Sequence, residues 1–128
     1  MCIRDRKYIQ PNVTISYPVN GNNVNFSEVI SGNSTGVYEN RLHLLHLYVL
    51  INPVASNNNK WWVQPEAFVY SDGSWHVNSQ FGLSAQENIG EKFWVIAEVT
   101  EGNLSEGQEV NYISGENYST KPILLTRS

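Results

Sequence analysis

Apolar and polar residues alternate with a period of two along several short stretches of this chain, and clusters of Asn, Ser, Gly and Pro separate those stretches. Lys92 to Thr100 has the cleanest alternation: Phe93, Val95, Ala97 and Val99 fall on one side, and Trp94, Ile96 and Glu98 on the other. Strand side chains project alternately to two faces, so the first set is assigned to the core, with the strand around Val49 opposite it. Leu42 to Ile51 is the most apolar run. Its β-branched and aromatic second half, closed by Asn52-Pro53, predicts a long central strand buried on both faces over part of its length.

Further strands are predicted at Val13–Tyr17, ended by Pro18 and the Asn20-Gly21 turn, and at Val24–Ile30, with Val24, Phe26 and Glu28 on one face. Trp61–Gln64 is broken at Pro65 and resumes at Ala67–Tyr70. Asp72-Gly73 predicts a two-residue hairpin turn leading into Trp75–Gln80, where Trp75, Val77 and Ser79 share the apolar side. A short strand at Val110–Ile113 and a closing strand at Ile123–Thr126 complete the set. Ser31–Asn40, Ala55–Asn59 and most of Gly102–Gly115 read as loops, and Leu83–Gly90 has room for one helical turn. The pattern therefore predicts an all-β antiparallel β-sandwich of about seven or eight strands.

Composition narrows the picture. The chain has 128 residues, enough for one core and short for two. Only 16% of residues are charged, and 16 are Asn, a residue that favours turns over helix interiors and regular strands. A net charge of −4 argues against a nucleic-acid partner, which needs clustered Lys and Arg. No apolar run approaches the length of a membrane-spanning helix, so no direct membrane insertion is expected. The single cysteine, Cys2, allows no internal disulfide. Met1 to Arg6 resembles translated adapter sequence at the ends of metagenomic fragments. Residues 1–10 are accordingly expected to be a disordered leader, in part artefactual, and 11–128 a single domain. An absent signal peptide then says nothing about localisation.

Ile15-Ser16-Tyr17-Pro18-Val19-Asn20-Gly21 followed by Val24, then Ile30-Ser31-Gly32, resembles the opening of prokaryotic immunoglobulin-like domains. Leu47 to Pro53, then Trp61-Trp62-Val63-Gln64, then Asp72-Gly73-Ser74-Trp75, then Gly90 and Phe93 is similar to a subset of them. The resemblance covers roughly Val13 to Thr126. It implies an immunoglobulin/fibronectin III-type sandwich on a cell surface or envelope, often one of several modules on a long chain, and carries over no catalytic residue.

Candidate chemistry is sparse. Sequons stand at Asn12, Asn25, Asn33, Asn103 and Asn117, a number that an Asn-, Ser- and Thr-rich chain produces by chance. His43 and His46, three apart on a strand, face opposite sides and cannot share a metal. Glu98, Glu101, Glu106 and Glu109 read as solvated loop residues, with nothing to position a carboxylate pair for acid/base work. No nucleophile motif or phosphate-binding glycine loop is present, so no catalytic residue, metal or cofactor is expected. Four tryptophans are more than one small core hides easily. Trp75 is expected in the core, and one of Trp61 and Trp62 outside it. An outward tryptophan near Tyr48, Tyr70 or Trp94 would offer a stacking surface for a sugar ring. Trp61, Trp62, Tyr70, Trp94 and Tyr48 are thus the candidate ligand residues. The expectation is a non-catalytic extracellular module that spaces, scaffolds or adheres, with other domains of its chain, a surface protein or a glycan as partner. The rival expectation is a carbohydrate-binding module with an exposed aromatic platform.

Overall fold

The computed structural model of the chain describes residues 11–38, 45–56, 60–82, 89–100, 104–111 and 118–128. The leader, the sequons at Asn103 and Asn117, His43, Glu101 and the proposed helical turn at 83–88 lie outside them. The described chain is a two-layer β-sandwich. Its strands are β1 (Asn12–Tyr17), β2 (Asn23–Val24), β3 (Ser27–Thr35), β4 (His46–Pro53), β5 (Lys60–Val63), β6 (Phe68–Val69), β7 (Ser74–Gln80), β8 (Lys92–Thr100), β9 (Glu109–Asn111), β10 (Tyr118–Ser119) and β11 (Ile123–Arg127). One sheet runs β1-β3-β7-β6. The other runs β2-β11-β8-β4-β5-β9, with β10 also paired to β8.

Eleven strands exceed the expected seven or eight because β2, β6 and β10 are pairings of only two residues. One ladder, β2 with β11, is parallel, so the seven-stranded sheet is mixed rather than purely antiparallel. It is held by Gly21 N–H to Leu124 O at 2.7 Å, Thr126 N–H to Asn22 O at 3.0 Å and Ser128 N–H to Val24 O at 2.8 Å.

Two sequence expectations are corrected. Val24–Ile30 is not one strand: β2 belongs to the seven-stranded sheet and β3 to the other, so the chain changes layers at Asn25-Phe26. Ser31–Thr35 is not loop but the second half of β3, paired to β1 throughout and to β7 as far as Asn33. Its polarity has local reasons. The Ser34 hydroxyl donates to Gly73 O at 2.8 Å, and Gly32 passes so close to β1 that a Cβ there would sit 1.9 Å from Thr14 O. The hairpin turn forms at the expected place but with three loop residues rather than two: Tyr70 and Ser74 close it around Ser71, Asp72 and Gly73, and Gly73 takes φ +94°, a conformation that glycine adopts without steric cost.

The core between the layers contains Phe93, Val95, Ala97 and Val99 of β8, as the alternation predicted, with Leu47, Val49 and Ile51 of β4. Val49 is not opposite β8 across the core, however. It is hydrogen-bonded beside it, in register with Ala97. The residues facing them come from the four-stranded sheet: Val13, Ile30, Trp75 and Val77. Trp75 is buried, and its indole N–H donates to Asn33 O at 3.2 Å.

The seven-stranded sheet is sealed on its outer face too. Tyr48, Leu50, Trp61, Val63 and Ile96 form a second cluster there, covered by Leu104 and Val110. This explains why β4 reads as an unbroken apolar run: its alternate residues serve two cores. At the sandwich end, buried Arg127 donates from Nη1 to Phe81 O at 3.2 Å and lies 5.4 Å from the centroid of the Phe26 ring.

Candidate functional site

The five candidate ligand residues do not assemble into one platform. Paired residues of an antiparallel ladder project to the same face. Ile51 is paired with both Trp62 and Val95, and Ile51 and Val95 belong to the inner core, so Trp62 lies on the inner face of its sheet. Trp94 alternates with Val95 and pairs with Asn52 and Leu124, which puts it on the outer face. Trp62 is 43% exposed and Trp94 38%, yet the sheet stands between them. Trp61 and Tyr48 lie too deep to meet a ligand, at 4% and 3% exposure. Both are packed in the outer cluster, where the Tyr48 hydroxyl accepts the Leu104 N–H at 3.0 Å. The adjacent tryptophans thus separate as strand geometry requires, Trp61 buried on the outer face and Trp62 half-exposed on the inner one.

Tyr70 is exposed on the opposite sheet, in a cluster that the sequence did not suggest. Phe68 on edge strand β6 pairs with His76 on β7, outside the inward set Trp75, Val77 and Ser79. The Phe68 ring lies 4.7 Å from Tyr70 and 5.9 Å from His76, centroid to centroid. His76 is thereby a surface histidine. His46 instead meets Glu66, Nδ1 to Oε2 at 2.8 Å.

A concave site does exist, beside Trp62. It opens at the flank where the chain leaves β5 and crosses through Gln64-Ala67 to β6 in the other layer. The cavity is about 360 Å³, and its lining includes apolar Ile51, Pro53, Trp62 and Phe93 and polar Gln64, Gln80 and Glu106. Phe93 is fixed from below by an edge-on contact with Phe81, their centroids 5.6 Å apart. Gln64 is pinned by its side-chain carbonyl, which accepts the Gln80 N–H at 3.0 Å.

Glu106 reaches the site on a braced turn. Gln108 N–H donates to Ser105 O at 3.0 Å, and the Gln108 side-chain carbonyl accepts Ser105 N–H at 2.9 Å. Gly107 N–H donates to Val63 O at 2.8 Å, and Val63 N–H to Gln108 O at 2.9 Å. The turn is thus an extension of the β5–β9 ladder, and backbone bonds fix the stretch of chain that carries Glu106.

Of the four acidic residues grouped from sequence, the three that are described, Glu98, Glu106 and Glu109, are dispersed. Glu98 is not solvated but buried on β8, in register with Tyr48. Glu109 is exposed on β9, and of these three only Glu106 lines the cavity. Among the described residues no group of three or more His, Cys, Asp or Glu side chains is gathered closely enough to hold a metal ion. No helix among them is long and apolar enough to cross a membrane.

Gln64, Gln80 and Glu106 escaped the sequence reading as ligand residues. Gln64 had a usable signal, since i and i+2 on a strand share a face and Gln64 therefore follows Trp62 on its own side. The approach of Glu106 to Trp62 had none, because it depends on the long-range pairing of β5 with β9. The chain matches no protein-family profile, no curated protein and no solved structure.

Proposed function

We propose that this chain is a non-catalytic immunoglobulin-like module of the cell exterior or envelope, serving as a scaffold, spacer or adhesion domain of a larger surface protein. The observation that supports it most is strand order. Immunoglobulin sandwiches place strands A, B, E and D in one sheet and C, F and G in the other, with C′ added beside C in the variable type. Reading β1, β3, β7 and β6 as A, B, E and D, and β11, β8, β4 and β5 as G, F, C and C′, reproduces both orders. The cysteine pair that joins strands B and F in antibody domains is absent, and Ile30 of β3 and Val95 and Ala97 of β8 supply apolar contacts to the core instead. A sandwich of this kind holds its surface side chains on a rigid frame, which is what spacing and adhesion need.

A second reading, carbohydrate binding, is favoured by one feature: the half-exposed indole of Trp62 walling a cavity that also holds Gln64, Gln80 and Glu106. Both readings are tested by applying the chain to a glycan array, with intrinsic tryptophan fluorescence and reducing-end release as parallel measurements. Silence on every glycan supports the scaffold. Binding without cleavage selects the carbohydrate reading. Release of reducing ends from any glycan overturns the non-catalytic role.

A further inference from the structure

We propose that the cavity at the β5–β6 crossover binds one pyranose ring of an uncharged glycan, with Trp62 as its stacking wall and Glu106 as its hydroxyl acceptor. The inference rests on the carbohydrate reading above and gives it a site and a ligand class.

The position of Trp62 is the first ground. Its partner in the ladder, Ile51, is 2% exposed, whereas Trp62, on the same inner face, remains 43% exposed. A large apolar side chain on the inner face of a sandwich ordinarily gains its stabilisation from burial. Trp62 forgoes much of that gain because the cavity in front of it is filled by no described side chain. The cavity volume of about 360 Å³ falls within the range of roughly 300–1,000 Å³ typical of small-ligand sites.

The distribution of chemistry is the second ground. Pro53 and the indole supply open apolar surface, Ile51 and Phe93 close the cavity at depth, and Gln64, Gln80 and Glu106 supply polar groups. A pyranose carries the complements of both, with C–H groups on its ring face and hydroxyls around its rim. An ionised carboxylate accepts hydroxyl hydrogen bonds at up to four lone-pair positions, and such charge-assisted bonds are the stronger kind. The braced turn fixes the backbone from which that carboxylate projects, so only the Glu106 side chain has to be ordered on binding.

Charge sets the ligand class. Glu106 is the one ionisable side chain among the described residues that line the cavity, and the whole chain carries −4, so a uronate or sialylated sugar would bring like charges together. A compact organic cation would be attracted by Glu106 and by the indole face, but it would leave the two glutamines without a role. Phe93 cannot complete an aromatic cage, because it is 2% exposed and edge-packed on Phe81.

The test is a glycan array that carries neutral, uronate-containing and sialylated oligosaccharides, with choline as a separate fluorescence titrant. The wild-type 128-residue chain is compared with Trp62→Ala, Trp62→Phe, Glu106→Ala and the double variant Phe68→Ala/Tyr70→Ala, all checked for unchanged thermal melting. Binding of neutral glycans is expected, weakened about tenfold or more by Trp62→Ala, partly restored in Trp62→Phe, and weakened about fivefold by Glu106→Ala. The Phe68/Tyr70 variant should bind as wild type does. Neutral binding that survives both Trp62→Ala and Glu106→Ala overturns the site and leaves the carbohydrate reading standing, as does loss confined to the Phe68/Tyr70 variant. A preference for anionic glycans or for choline overturns the ligand class. Silence on every probe overturns the site and the carbohydrate reading together.

Discussion

Gly32 sits where β3 passes between β1 and the side chain of Trp75. A Cβ added there would lie 1.9 Å from Thr14 O, 2.9 Å from Thr14 C and 2.9 Å from Trp75 Cζ2. Ordinary carbon–oxygen contacts are about 3.3 Å or longer, so Gly32→Ala requires β1 and β3 to part by about 1.4 Å. Backbone hydrogen bonds near 2.9 Å do not survive that displacement. Losing two or three of them at about 1 kcal/mol each gives a destabilisation of about 3 kcal/mol, before any loosening of Val13 and Ile15 is counted. With a urea m-value of about 2 kcal/mol/M, the midpoint should fall by about 1.5 M. The assay is urea unfolding followed by tryptophan fluorescence, and Trp75 emission in the folded state should shift because the intruding methyl meets its ring. Gly21→Ala is the control: it meets nothing within 4 Å and bears only the cost of its φ of +91°, about 1–2 kcal/mol. A Gly32→Ala midpoint within error of wild type, or above that of Gly21→Ala, would refute the close approach of β1 to β3.

Other outcomes follow from single buried or bonded groups. Ser79 is 0% exposed and its hydroxyl has no hydrogen-bond partner among the described residues, so Ser79→Ala should be neutral or stabilise by about 1 kcal/mol in the same urea assay. Arg127→Ala strips the Phe81 carbonyl of its donor and the Phe26 ring of its cation, and should destabilise by about 3 kcal/mol, measured by calorimetry as a fall in Tm of about 10 °C. Asp72 accepts hydrogen bonds from the Ser74 hydroxyl at 2.6 Å and the Ser74 N–H at 2.9 Å, which hold its carboxyl below the ordinary 3.8. A depressed folded value means stability present above the unfolded value and lost as pH falls through the folded one. Stability should therefore drop below about pH 4, and Asp72→Asn should flatten that slope in acid-unfolding curves.

The parts of the fold that were legible are those where one periodicity served one core. Phe93, Val95, Ala97 and Val99 repeat every second residue and point into a single interior, and Trp75, Val77 and Ser79 do the same. The change of layers at Asn25-Phe26 left no trace, because Val24 and Ile30 have the same parity and mimic one continuous strand across it. β3 beyond Ile30 was hidden by Ser31 to Thr35, whose polarity answers to contacts with β1 and the Gly73 turn, set by residues far along the chain. The outer cluster was half visible: the doubly apolar β4 required cover on two faces, but nothing local identified Leu104 and Val110 as the cover. That one of Trp61 and Trp62 is exposed was legible from their adjacency, but not which of the two. That Trp62 faces inward, away from Trp94, follows only from its register with Ile51.

The most direct test of the sugar site at Trp62 is a ¹H–¹⁵N correlation titration of the chain with a neutral oligosaccharide. The Trp62 indole N–H and the Gly107 amide should move together along one saturable curve, while the Trp94 indole and the Phe68 and Tyr70 amides stay in place. Shifts centred on Trp94 or on Phe68 and Tyr70, or a spectrum that does not move at millimolar sugar, would contradict it.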